Sequence, residues 1–154
     1  MSVNRGKEFE QVVRQACEQV PNTYVLRLYD PQGGYTAVAN PCDFVMYRHN
    51  IMYMVECKAL HGNLISIHTP NPKKKYGNIS NTQWEGMLEA SKCGVVAGVL
   101  FWWADRDVTK FIPIDTLEAM RKANCKSVRY DLQQYIADRF IYSIYNIEGK
   151  KKRI

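Results

Sequence analysis

The sequence lacks the features that would place it outside the cytosol or divide it into parts. It contains no apolar run of transmembrane length, and its first ten residues, MSVNRGKEFE, contain no signal-peptide hydrophobic region. Its five cysteines are an odd number without a CxxC pair, which fits reduced thiols better than a disulfide framework. No internal repeat or domain linker is visible. These absences predict one cytoplasmic domain over residues 1–154, with a buried core and no membrane partner.

The composition is that of a globular, basic protein. Apolar residues make up 46% of the chain and charged residues 23%, which excludes an intrinsically disordered chain. The formal net charge is +6 and the pI is about 9.1. A basic balance favours a polyanionic partner, although many basic proteins bind nothing acidic.

The first half of the chain predicts one helix followed by three strands. Within residues 1–21, apolar side chains recur at helical spacing at Phe9, Val12, Val13, Ala16, Cys17 and Val20, and Pro21 ends the helix. Residues 24–60 then predict a three-stranded sheet, interrupted by a loop at 30–40 that is rich in turn residues.

The second half, 80–154, predicts a helix, two strands, C-terminal helices and a basic tail. Ser80 and Gln83 have the spacing of a capping box, as do Asp115 and Glu118 at the next helix. The run VVAGVLFWW predicts a central strand covered on both faces, with both tryptophans in the core. The fold class is therefore α/β, with one mixed central β-sheet flanked by helices.

The stretch DFVMYRHNIMYMVECK, residues 43–58, predicts a hairpin with charged ends. If a two-residue turn at His49-Asn50 joins the strands, Asp43 faces Glu56, with Cβ atoms about 4.5–5.5 Å apart. Lys58 shares that face because side chains alternate along a strand. A four-residue turn preserves this register, whereas a three-residue turn places Glu56 on the opposite face from Asp43.

Two opposed carboxylates destabilise a hairpin, so a compensating cation is expected. Mg²⁺ prefers oxygen ligands, and Asp43, Glu56 and the backbone carbonyl of Cys57 offer three. Lys58 would neutralise charge or orient a water near a phosphodiester. The alternative is a solvated strand end with an ordinary salt bridge. Cys42 and Cys57 face each other on the other side of the hairpin, as buried thiols or as a disulfide.

The segment NPCDFVMYRHNIMYMVECK resembles the PD-(D/E)xK nuclease motif, in which an Asp opens one strand and Glu-x-Lys lies on the next. RGKEFEQVV, ISNTQWEGM, CGVVAGVLFWW, KFIPID and CKSV resemble, in matching order, elements of the RecU-type Holliday junction resolvases. The resemblance implies a restriction-endonuclease-like core, a homodimer and cleavage of four-way DNA junctions with Mg²⁺ or Mn²⁺. The stalk-like loop 30–40 is short, which suggests a phage version acting in the host cytoplasm.

The resemblance also implies further site residues, each with an alternative. Glu10 would be another metal ligand or assist the water shell, although Glu8 borders the other edge of the same apolar stripe. Gln83 would lie beside the active site, or serve only in its capping box. Gly6 would permit close approach of a phosphate, or mark the start of the helix.

Basic and aromatic residues complete the DNA-binding candidates. Lys73, Lys74 and Lys75 follow the motif strand, and Lys151 lies in the C-terminal basic run. They would contact phosphates, or they are solvated surface residues. Tyr35 would stack on an exposed base or pack within its own loop.

The leading hypothesis is a metal-dependent Holliday junction resolvase that makes symmetric nicks in four-way junctions. The alternatives are another PD-(D/E)xK endonuclease of the nicking, flap or restriction type, or a non-catalytic DNA-binding recombination factor.

Overall fold

The computed structural model describes residues 4–29, 39–68 and 75–132. The elements in chain order are α1 (Arg5–Glu18), β1 (Tyr24–Arg27), β2 (Phe44–Arg48), β3 (Ile51–Leu60), β4 (Leu64–Ser66), α2 (Asn81–Lys92), β5 (Val96–Trp103), β6 (Val108–Pro113), α3 (Ile114–Lys122) and β7 (Ser127–Arg129). Most of the predicted stalk-like loop, the C-terminal helix predicted near Asp131 and the basic tail lie outside the described residues.

The central sheet has five strands in the order β1-β2-β3-β5-β6. Its neighbouring strands are antiparallel except β3 and β5, which are parallel. This parallel pair requires a crossover, and α2 lies within it. Helix α1 packs on one face of the sheet, while α2 and α3 pack on the other. The predicted α/β architecture, a mixed central sheet flanked by helices, is confirmed.

The β2–β3 hairpin has the two-residue turn that the sequence predicts. Arg48 pairs with Ile51 and Phe44 with Val55, so His49 and Asn50 alone form the turn. Both turn residues have positive φ, 48° and 64°, as a type I′ turn requires. Continued by one residue, this register places Asp43 opposite Glu56, as predicted.

Two apolar cores lie on opposite faces of the sheet. The α1 face buries Phe9, Val13, Ala16, Cys17, Phe44, Met46, Val55, Cys57, Leu100, Trp102 and Phe111. The α2–α3 face buries Trp84, Met87, Val99, Phe101, Trp103, Ile112, Ile114 and Leu117. Because successive residues of β5 alternate between these cores, the strand is buried almost throughout, as predicted for a central strand. Trp102 and Trp103 both lie in the core, also as predicted.

Two details of the predicted organisation are wrong. First, the sequence predicts no strand between residues 60 and 80, whereas this segment contains β4, which pairs with β7 in a separate two-stranded sheet. Second, α3 begins at Ile114 after Pro113 and has no side-chain cap, so Asp115 and Glu118 do not form a capping box. Glu118 instead accepts a hydrogen bond from the indole Nε1 of Trp84 at 2.7 Å.

The described part of the chain contains no helix long and apolar enough to cross a membrane.

The cysteines of the described residues are free thiols, including the buried Cys42 and Cys57, so the disulfide alternative is wrong.

Candidate active site

The three motif residues converge beside the N-terminus of α2. Asp43 lies directly before β2, and Glu56 and Lys58 lie on β3, on the sheet face that α2 covers. The Glu56 side chain is buried, since the whole residue is only 2% exposed. Lys58 is partly exposed, and its Nζ lies 3.0 Å from Glu56 Oε1. A buried carboxylate next to an ammonium is therefore the centre of the site.

The two oxygens of Glu56 have different surroundings. Oε1 accepts a hydrogen bond from Gln83 Nε2 at 2.8 Å and also contacts Lys58. Oε2 is buried and no donor within residues 4–29, 39–68 and 75–132 reaches it, while the Asp43 carboxyl can share a hydrogen bond with Glu56 only when Glu56 is protonated. Burial raises the pKa of Glu56 to about 8, and the neighbouring Asp43 charge adds to this rise while Lys58 opposes it. The expected conflict between the two carboxylates is therefore present at Glu56.

Asp43 is held by the backbone of the opposing strand. Its Oδ2 accepts a hydrogen bond from the Cys57 N–H at 2.8 Å, and its Oδ1 lies 3.7 Å from Nη1 of Arg27. In an antiparallel pair, the N–H and C=O of one residue point toward the same neighbouring strand. The Cys57 carbonyl is therefore directed to the side where Asp43 lies, as the sequence hypothesis requires.

Gln83 has both of the roles that the sequence left as alternatives. The side-chain Oε1 of Gln83 accepts a hydrogen bond from the backbone N–H of Ser80 at 3.1 Å. The backbone N–H of Gln83 donates to Ser80 Oγ at 3.2 Å. These two bonds form the predicted capping box. The Nε2 of the same amide donates to Glu56. One side chain thus fixes the start of α2 and orients the buried carboxylate.

Glu10 reaches the margin of the site through Arg27, a residue that the sequence hypothesis did not include. Nη2 of Arg27 donates to Glu10 Oε2, and Nη1 of the same guanidinium donates to the Asp43 backbone carbonyl at 3.3 Å. Glu10 and Asp43 both raise the pKa of Arg27, although burial opposes them. Glu10 contacts Arg27 from the α1 side of the sheet. Its role as a metal ligand remains a prediction. In the sequence, Arg27 is recognisable only as a cation at the end of a predicted strand, with no function that the pattern assigns to it.

The donors of the site fit a hard divalent cation. Within the described ranges, no three His, Cys, Asp or Glu side chains are arranged to hold a metal by themselves. Mg²⁺, however, commonly uses only one or two carboxylates together with substrate phosphates and water. No donor within the described residues reaches the buried Oε2 of Glu56, and its neighbour is a second carboxyl group, so a bound cation would satisfy this oxygen. Asp43, Glu56 and the Cys57 carbonyl are therefore the groups that would hold such a cation.

A cleft of about 400 Å³ opens beside Lys58. The N-terminal residues of α2 and the turn containing Gly77 and Asn78 form its other walls. Gly77 has φ of 67°, and a Cβ there would lie 2.5 Å from the Ser66 carbonyl oxygen, so glycine is required for this wall. Lys58 and Gln83, the two side chains that contact Glu56, thus also line open space that can admit a substrate.

The structure describes two of the six predicted DNA-binding residues. Gly6 lies in the first turn of α1, where an added Cβ would meet only Asn4 Oδ1 at 3.4 Å, so the fold itself tolerates a side chain there. Nζ of Lys75 pairs with Glu85 at 2.9 Å. Phosphate contacts by both remain predictions. Tyr35, Lys73, Lys74 and Lys151 lie outside the described residues.

No protein-family model and no curated protein sequence matches this chain. Among solved structures, the chain is similar to Hjc, a Holliday junction resolvase from the archaeal hyperthermophile Archaeoglobus fulgidus. The identity is 17% and the TM-score is 0.45, over 73% of this chain and 75% of that chain.

The two roles of Gln83 are separable by mutation. Ser80→Ala and Gln83→Leu each break the capping box, and each should destabilise the protein by about 1 kcal/mol. Only Gln83→Leu removes a donor from Glu56, so only that change should raise the pKa of Glu56 further. A carboxyl ¹³C NMR titration of both variants measures this difference. Equal Glu56 pKa values in the two variants would contradict the second role.

The raised pKa of Glu56 predicts that the free energy of unfolding falls as the pH rises. The pKa of Glu56 in the folded protein is about 8, whereas an unperturbed glutamate has a pKa of 4.5. Without metal, the contribution of Glu56 to the free energy of unfolding should therefore be fully present below pH 4.5. It should decline toward pH 8, by at most about 1.4 kcal/mol per pH unit. Urea unfolding at several pH values, with EDTA present, measures the decline. Glu56→Gln should remove it, and an equally steep decline in that variant would show that another group is responsible.

Proposed function

We propose that this protein is a metal-dependent DNA endonuclease. The observation that carries the proposal is the buried Glu56, which faces Asp43, has an Oε2 that no donor reaches, and contacts Lys58 and Gln83 at the wall of an open cleft. A purely structural ion pair would satisfy both oxygens of a buried carboxylate. The net charge of +6 and the resemblance of the motif to PD-(D/E)xK nucleases both support DNA as the substrate.

In this proposal each residue has a distinct task. Asp43, Glu56 and the Cys57 carbonyl hold Mg²⁺ or Mn²⁺, which would supply positive charge at the scissile phosphate and lower the pKa of a water molecule. Lys58 contacts Glu56 and also lines the cleft, so its ammonium orients the attacking water and offsets charge on the phosphate. Gln83 keeps Glu56 in position. Hydrolysis would leave a 5′-phosphate.

Arg27 and Glu10 assist from the other side of Asp43. The guanidinium contacts both the carboxylate and the backbone carbonyl of Asp43, which restrains that residue where β2 begins. Glu10 in turn holds Arg27, so it acts on the site through the guanidinium or joins the water shell of the metal. Arg27 is therefore a positioning residue in this account.

The finer proposal is a RecU-like Holliday junction resolvase that acts as a homodimer. It rests on the matching order of sequence elements along most of the chain. A four-way junction has approximate two-fold symmetry, and a C2 dimer would present two sites related in the same way. Nicking, flap or restriction-type cleavage by the same residues is the second candidate.

Cleavage of four-way DNA should require Asp43. With Mg²⁺ or Mn²⁺, Asp43→Asn should lower the cleavage rate by at least about a hundredfold, because an oxygen ligand and its charge are lost. DNA binding in EDTA should not weaken. Asp105→Asn is the matched control, since Asp105 is also a hydrogen-bonded acceptor but contacts His61 and Gly62 instead. Unimpaired cleavage by Asp43→Asn would contradict the proposed ligand set.

The substrate panel decides between the finer proposals. A junction resolvase should cut four-way DNA faster than flap or linear duplex DNA and should give paired symmetric nicks. Equal rates on the three substrates would favour a general endonuclease. Binding without cleavage in either metal would favour a non-catalytic recombination factor. Analytical ultracentrifugation with and without DNA measures the expected dimer.

A further inference from the structure

A second cleft, of about 380 Å³, lies on the α1 face of the sheet. Its walls come from α1, the end of β1 and the residue Tyr29 that follows β1 closely. We call it the α1–β1 cleft and define it by Lys7, Gln11, Arg14, Arg27 and Tyr29. The sequence hypothesis assigned no function to any of these residues.

The lining of the α1–β1 cleft contains more cations than carboxylates. Its described walls contain three cations, Lys7, Arg14 and Arg27, against one carboxylate, Glu10, which binds Arg27. Arg14 does pair with Glu18 at 3.2 Å, but both side chains are about half exposed, so this pair is weak and can be exchanged for another anion. A concave surface with this lining favours a polyanion.

Tyr29 gives the α1–β1 cleft an aromatic wall. Its side chain is exposed (the residue is 68% accessible), yet two guanidinium groups hold it in place. Nη1 of Arg14 donates to the Tyr29 hydroxyl at 3.3 Å, and the Arg27 guanidinium lies 5.4 Å from the centre of the ring. Exposed aromatic rings among cations are typical of surfaces that bind nucleic-acid strands.

Arg27 connects the α1–β1 cleft to the candidate active site. One end of its guanidinium contacts Glu10 in the cleft, and the other lies 3.7 Å from the carboxylate of Asp43. Successive phosphates of one DNA strand advance by only about 3.4 Å along the helix axis. Arg27 also contacts the Tyr29 ring, whose hydroxyl Arg14 binds, so a strand that leaves Asp43 along Arg27 enters the cleft that Arg14 and Lys7 line.

We propose that the α1–β1 cleft binds the sugar-phosphate backbone of the cleaved strand within a few nucleotides of the cut. Lys7 and Arg14 neutralise phosphates there, and Tyr29 supports the strand with its ring. This inference rests on the proposed function, since it names where the DNA of that reaction lies. It places the strand across the β1 edge of the sheet, from the α2 face to the α1 face.

The test is removal of charge from the α1–β1 cleft without change to the catalytic residues. Lys7→Gln and Arg14→Gln remove the charge but keep a flexible polar side chain, and both positions are exposed on a helix. Each variant should raise KM for junction DNA, leave kcat at saturating DNA within about twofold of wild type, and reduce the slope of log affinity against log salt by about one. Lys92→Gln, on the last turn of α2 and away from the site, is the matched control and should change neither KM nor the slope.

The position of the strand is tested with DNA that carries one uncharged methylphosphonate at a time. Near the cut, one or two substitutions should weaken binding to wild type. The same substitutions should have little further effect on the Lys7→Gln/Arg14→Gln double variant, because the charges that recognise those phosphates are already absent. This loss of sensitivity is a signature that a merely structural effect of the mutations would not give.

The possible outcomes distinguish failure of the cleft proposal from failure of the proposed function. If wild type cuts DNA and the cleft variants keep wild-type KM, salt slope and methylphosphonate sensitivity, the cleft proposal is wrong and the proposed function stands. If wild type neither binds nor cuts DNA, both proposals are wrong. A fall in kcat at unchanged KM in the variants would also contradict backbone binding, since it would indicate disturbance of the catalytic residues.

Discussion

The pairing of Asp43 with Glu56 across two antiparallel strands is the constraint on which the rest of the site depends. Sheet geometry fixes these carboxylates near each other, and α2 then covers Glu56 so that water cannot separate their charges. The surrounding contacts answer this conflict: Gln83 and Lys58 bind one oxygen of Glu56, and the backbone of β3 binds Asp43. The oxygen that remains unsatisfied is where a cation is most favourable.

The sequence predicts the hairpin well because the relevant interactions are local. A turn of two residues that accept positive φ sets the register, and side-chain alternation then places Lys58 beside Glu56. The capping box of Gln83 is equally local, but its hydrogen bond to Glu56 depends on how α2 packs against the sheet. Sequence spacing therefore predicts that Gln83 belongs to a capping box, whereas only the resemblance to a family suggests that it lies beside Glu56.

Other features could not be predicted because they depend on contacts between distant parts of the chain. Arg27 meets Asp43 only because β1 pairs with β2 across the loop that separates them. Pairing of β4 with β7 joins segments more than sixty residues apart, and neither strand exceeds three residues. The failed capping box at Asp115 shows a related limit: α3 begins directly after β6, so Pro113 occupies the cap position.

Chemistry and strand binding are assigned in this account to opposite faces of one sheet, with Arg27 at the edge between them. The carboxylates and Lys58 lie under α2, while Lys7 and Arg14 lie on α1. The most direct test of the central claim is a crystal grown with Mn²⁺ and measured at a wavelength where manganese scatters anomalously. An anomalous peak should lie about 2.0–2.3 Å from oxygens of Asp43 and Glu56 and from the Cys57 carbonyl. A well-ordered site without that peak at millimolar Mn²⁺, or a peak held by other residues, would contradict it.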